Sequence, residues 1–106
     1  MNILPISNNL NPNFGITNQA RIPMKNGTTA LLNVTGEATH KGFPKITEIT
    51  GDIMHKGKVV GKVKEYRNKK GFDVQRLAAI IEELGKDAKN PNTVMDKIFK
   101  AIMELC

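Results

Sequence analysis

Residues Thr47–Tyr66 read TEITGDIMHKGKVVGKVKEY, two alternating arms on either side of His55-Lys56-Gly57. Alternation with a period of two marks a half-buried strand. Glycine as the third residue of a short loop marks a hairpin whose last turn residue is left-handed, a conformation that carries no penalty where there is no Cβ. Closing the loop there sets Met54 opposite Lys58 and generates two faces. One pairs Ile53 with Val59, Gly51 with Gly61 and Ile49 with Val63; the other pairs Asp52 with Val60, Thr50 with Lys62, Glu48 with Lys64 and Ile46 with Tyr66. The first face is apolar and the second mostly polar with opposite charges facing, a separation that a slip of one residue would destroy.

The apolar face repeats the pattern apolar-x-Gly-x-apolar in Ile49–Ile53 and Val59–Val63, and the same pattern occurs upstream in Val34–Ala38. Glycines in a row across a sheet predict curvature or a groove that receives a helix. The upstream strand, Thr28–Ala38, places Ala30, Leu32, Val34, Gly36 and Ala38 on one face. Before it, Arg21–Met24 is predicted as a short edge strand because Pro23 lacks a donor, and Lys25-Asn26-Gly27 as its turn. Val34-Thr35-Gly36-Glu37 through His40-Lys41-Gly42 recurs as Ile49-Thr50-Gly51-Asp52 through His55-Lys56-Gly57, the pattern of a meander. Pro44 interrupts the loop between the two units, so the sequence assigns no register between 28–38 and 45–54.

Helical spacing takes over after Asn68-Lys69-Lys70-Gly71. Asp73 is an N-cap with Phe72 and Leu77 at the staple positions, and Val74, Leu77, Ile81, Leu84 and Ala88 form a stripe widened by Ala78 and Ile80. Gly85 ends or weakens this helix, and Asn90-Pro91 starts a second, whose core stripe is Val94, Ile98, Ala101, Ile102 and Leu105. The fold class is therefore α+β: an antiparallel β-meander of three or four strands, followed by a C-terminal two-helix hairpin packed on one sheet face. Residues 21–106 form that single domain, and residues 1–20 are expected to be an Asn-rich, disordered arm, with Asn2, Asn8, Asn9, Asn11, Asn13 and Asn18 broken by Pro5 and Pro12.

The 106 residues allow one core. A lone cysteine, Cys106, precludes an internal disulfide, and the first ten residues lack the basic and apolar regions of a secretory signal, so a cytoplasmic location is expected. No stretch has membrane-spanning length, and no membrane partner is expected. The net charge of +6 is uneven: residues 21–71 hold eleven Lys and Arg against four acids, whereas residues 72–106 hold five against six. The excess lies on the sheet.

No catalytic, cofactor or metal site is assigned. His40 and His55 are separated by an extended strand of roughly 40 Å, too far to share a metal. Cys106 stands beside a terminal carboxylate, which opposes thiolate formation. No glycine-rich phosphate loop leads from a strand into a helix. What remains is binding. Alternate turns of a meander share an end of the sheet, which gathers Lys41, Lys45, Arg67, Lys69 and Lys70 as a candidate anion or nucleic-acid patch, with Phe43 or Tyr66 to stack a base. The opposite end gathers Lys25, Lys56 and Lys58. On the second helix, Met95, Phe99 and Met103 lie beside the core stripe and are the candidate protein interface. The leading expectation is a small non-catalytic binding or assembly module that acts through protein–protein contacts, with itself or a partner. The alternative is a nucleic-acid-binding protein that uses the basic end of the sheet.

Overall fold

The structure, a computed structural model, describes residues 16–37 and 44–103. Among these residues five antiparallel strands form one sheet: β1 (Ile16–Pro23), β2 (Thr29–Glu37), β3 (Lys45–His55), β4 (Lys58–Lys62) and β5 (Tyr66–Arg67). Their order is β1-β2-β3-β4, and β5 pairs with β3. Two helices follow, α1 (Val74–Gly85) and α2 (Val94–Met103), the second entered through a 3-10 turn at Pro91–Thr93. This is the α+β meander with a helical layer that the alternation predicts.

The helix starts match their sequence signals. Asp73 accepts a hydrogen bond from Arg76 N at 2.7 Å, so its carboxylate satisfies one of the donors left open in the first turn. Asn90 does the same for Asn92 N at 3.3 Å, and Pro91 occupies the first turn, where its missing N–H costs nothing. One face of the sheet supplies Ala20, Ile22, Ala30, Leu32, Val34, Ile46 and Ile49 to the core, and the helices supply Leu77, Ile80, Val94, Ile98 and Ile102. The predicted inner positions of the second strand, Ala30, Leu32, Val34 and Gly36, are all buried. Ala88 is buried too, but outside α1: it forms an isolated bridge with Met24.

The central hairpin corrects the expected register. Its loop has two residues, with Lys56 at φ +51° and Gly57 at φ +83°, the left-handed pair of a type I′ turn. His55 therefore faces Lys58 and Met54 faces Val59. A bulge follows, after which Ile53 faces Gly61 and Asp52 faces Lys62. The extra residue, Val60, restores Gly61 to the core side, but Val59, expected on the apolar face opposite Ile53, now faces Met54 and is 56% exposed. Farther down, Ile49 faces Tyr66 and Glu48 faces Arg67, in place of the expected Val63 and Lys64. Lysine has no intrinsic preference for the left-handed region, which is why its position carried no turn signal.

β2 and β3 pair with Leu32 opposite Gly51 and Val34 opposite Ile49, and the register shifts once more before Gly36 meets Ile46. That second bulge leaves Thr47 over, so Ile46 and Ile49, three apart, both point inward. β1 begins at Ile16, so the expected boundary of the arm at residue 20 falls inside a strand. Asn18 hid it: the amide points inward and donates to the Ala101 carbonyl of α2, a polar residue that interrupts the apolar alternation yet is satisfied. The proposed arm upstream, residues 1–15, lies outside the described residues.

Where the glycine pattern predicts curvature or a helix-receiving groove, the nearest atoms at Gly36 and Gly51 belong to the neighbouring strand. A Cβ on Gly36 would overlap the Lys45 carbonyl and stand 2.9 Å from Ile46 Cα, and one on Gly51 would overlap the Leu31 carbonyl and stand 3.0 Å from Leu32 Cα. Both make room for the backbone of the neighbouring strand. At Gly61 a Cβ would only touch Ile53 at 3.8 Å, an ordinary contact. Gly51→Ala and Gly36→Ala should each destabilise the fold by about 1–3 kcal/mol, whereas Gly61→Ala should leave the midpoint of thermal unfolding nearly unchanged. Equal losses at all three positions would contradict the strand-contact account.

Candidate functional site

At one end of the sheet the chain brings together three of the five residues predicted as an anion patch. Lys45, Arg67 and Lys69 line an open cavity of about 420 Å³ with Thr35, Gly36, Glu37, Thr47, Glu48 and Asn68. Lys70 follows in the turn, where its N–H donates to Asn68 Oδ1 at 3.0 Å and Gly71, at φ +90°, closes back on the Asn68 carbonyl at 2.9 Å. Lys41 lies outside the described residues. The cavity is electrostatically mixed, because Glu37 and Glu48 share its wall. Arg67 Nη1 donates to Glu65 at 2.7 Å and its Nε donates to Glu48 at 2.6 Å. Those two carboxylates raise the guanidinium pKa and engage two of its donors. Lys45 and Lys69 are the lysines on the cavity wall, and neither has an ion pair among the described residues.

Tyr66 is not placed to stack a base. It is 3% exposed, and its hydroxyl donates to Glu83 Oε1 at 2.9 Å. Lys64 Nζ stands 3.9 Å from the same carboxylate. Lys64 and Arg76 also lie over the ring, 5.6 and 5.8 Å from its centre. Lys64, Tyr66 and Glu83 border a second cleft of about 210 Å³ between sheet and α1, floored by Ile22, Ala30, Leu32 and Val63. Phe43, the other stacking candidate, is outside the described residues.

The helical layer carries a third, apolar feature. Pro44, Phe72, Val74, Leu77, Ala78, Ile81, Met95 and Phe99 line a groove of about 90 Å³ between α1 and α2, without one charged side chain. Of the predicted interface, Met95 and Phe99 meet here, one turn apart; Met103 lies a further turn along α2 and is also exposed. Phe99 is half-buried and packs on the core, whereas Met95 is 52% exposed. Val74 is the residue that sequence reading missed: counted in the stripe of α1, it is 65% exposed. Its place directly after the cap Asp73 was the available signal, since the first helical residue precedes the turn that faces the core.

Among the described residues no three His, Cys, Asp or Glu side chains are grouped to hold a metal ion, and no helix is long and apolar enough to cross a membrane. His55 ends β3 with Nδ1 buried and without a hydrogen-bond partner among the described residues. His40 and Cys106 lie outside the described residues. No protein-family profile, curated protein or solved structure matches the chain.

The tyrosine gives a direct test of this packing. Burial, then the hydrogen bond to Glu83, pushes the Tyr66 phenol up to about 12 from 10.0. The folded state thus holds the proton more tightly than the unfolded chain does. The resulting stability is complete below about pH 10 and is lost as pH rises toward 12. Tyr66 is the chain's one tyrosine and there is no tryptophan, so tyrosinate absorbance reports this group alone. Its ionisation should coincide with loss of folded structure; a midpoint near 10 in an intact fold would contradict the buried hydrogen bond.

Proposed function

We propose that the chain is a small non-catalytic binding or assembly module that acts through protein–protein contacts at its helical face. The observation that carries this reading is the uncharged groove between α1 and α2, with Val74 and Met95 more than half exposed at its rim. Apolar side chains grouped on a surface cost solubility unless another surface covers them. A thioether and a β-branched side chain next to a half-buried aromatic offer an adaptable contact without charge to desolvate. A second copy is the simplest occupant; another protein of the same compartment is the next. The lone cysteine fits a reducing, cytoplasmic compartment.

Nucleic-acid binding at the basic end is the second reading. Lys45, Lys69 and Lys70 support it, since backbone phosphates require only positioned cations. The two carboxylates on Arg67 and the burial of Tyr66 weigh against it. Its mark would be oligonucleotide affinity that falls steeply with salt.

Met95→Glu tests the helical face. Light scattering over a concentration series should show self-association of the wild type that this substitution removes, with stability changed by less than about 0.5 kcal/mol because the site is exposed. A wild type that stays monomeric throughout, combined with a photo-crosslinker at position 95 that captures nothing, would end the reading.

A further inference from the structure

The sheet has two edges, and they differ. At the C-terminal end of β1 the edge meets the segment between the helices: Lys25 N donates to Asp87 O at 2.8 Å and Lys89 N donates to Pro23 O at 2.9 Å, around the Met24–Ala88 bridge. Near the start of β1, Asn18 is tied to α2. Along β4 no strand pairs the outer side among the described residues. No residue of β4 is buried, and Val59 and Val60 are 56% and 58% exposed. An open edge with adjacent β-branched residues is a template for another strand.

Charge then selects the strand. Lys56, Lys58, Lys62 and Lys64 lie on or beside this edge, and no acid occurs between Asp52 and Glu65. Lys64 stands 3.9 Å from Glu83; Lys56, Lys58 and Lys62 have no ion pair among the described residues. Two copies of this edge would set lysine against lysine, which is repulsive, and the bulge at Val60 further discourages self-pairing. The same lysines attract a carboxylate-bearing strand. A nucleic acid would find cations here but little to stack on, because residues 53–64 include no Phe, Tyr or Trp and Tyr66 is buried.

The turn shows which backbone groups are available. In a two-residue hairpin loop the flanking pair, His55 and Lys58, is the hydrogen-bonded one, so the next pair, Met54 and Val59, is not. The N–H and C=O of Val59 therefore point away from β3. We infer that the outer edge of β4 is a docking site for an extended acidic segment of a partner protein, which adds to the sheet as a strand beside Val59 between the lysines of this edge. Main-chain bonds would supply affinity and the lysines the choice of partner. This surface is separate from the helical groove.

The probe is a capped peptide of alternating glutamate and valine, labelled for fluorescence anisotropy and titrated into the full chain. Binding should be saturable and weaken with salt, and on saturation the Val59 amide should gain protection from hydrogen exchange. Lys58→Glu combined with Lys62→Glu should weaken binding by about tenfold or more. Val59→Pro keeps every lysine and removes the outward donor, a change that an edge strand tolerates, and it should abolish binding where Val59→Ala, which keeps the donor, does not. Met95→Glu should leave peptide binding unchanged. Val59→Pro that folds and binds like the wild type would overturn the inference. So would an unprotected Val59 amide in the saturated wild type, a measurement that stands even where the proline variant fails to fold. Oligothymidylate that binds more tightly than the peptide and displaces it would assign the edge to nucleic acid instead.

Discussion

Everything in this fold depends on how β3 keeps Ile46, Ile49 and Ile53 on the helical side while pairing on both edges. A strand's side chains alternate, so residues three apart cannot share a face without an extra residue between them. The bulge at Thr47 provides it on the β2 side, and the bulge at Val60 compensates for the tight turn on the β4 side. Gly36 and Gly51 lie in the same pairings, where neighbouring backbone comes too close for a Cβ. Local irregularity and close strand approach together let a short sheet offer one continuous apolar face to two short helices. That economy matters in a chain of 106 residues, whose core is small.

Much of this was legible in the sequence because the signals were local. The alternation through Ala30, Leu32, Val34 and Gly36, the cap at Asp73 and the Asn90-Pro91 start each depend on a few neighbouring residues, and each is realised. The hairpin was legible as a hairpin, but its register was not. A three-residue loop and a two-residue loop with a compensating bulge both bring Gly61 and Val63 to the apolar side and differ in Val59, which alternation alone does not place. The left-handed Lys56 gave no compositional sign. β1 was obscured by Asn18, whose inward amide is satisfied by a residue 83 positions away.

The candidate site was legible to the extent that charge placement is. Lysines at one end of a meander could be counted from the turns, and Lys45, Arg67 and Lys69 do share a cavity. Whether those cations are available was not countable, because it turns on register. With Glu48 opposite Lys64, Arg67 would have lacked its partner across the sheet; with Glu48 opposite Arg67, the guanidinium is held by Glu48 as well as by its near neighbour Glu65. The same shift carries Tyr66 beside Ile49 and into the core, and so removes the aromatic residue that a base would need. The helical interface was counted from periodicity, which identifies a face but not the exposure of its ends, hence the miss at Val74.

The molecule thus separates two kinds of surface. Between the helices the groove is apolar and uncharged, suited to a contact governed by desolvation and shape. Along β4 the valines are flanked by cations, and backbone groups on the outer side, which no strand pairs among the described residues, are the main resource. Lysine on an edge strand is ordinarily protective, because it keeps identical edges apart. Protection against like charge is at the same time selection for unlike charge, so one set of side chains performs both tasks and needs no rearrangement of the core. β4 is suited to this division because it contacts the rest of the fold chiefly through β3. A strand added there would extend an existing ladder and leave the two bulges, the glycine contacts and the helical layer as they are.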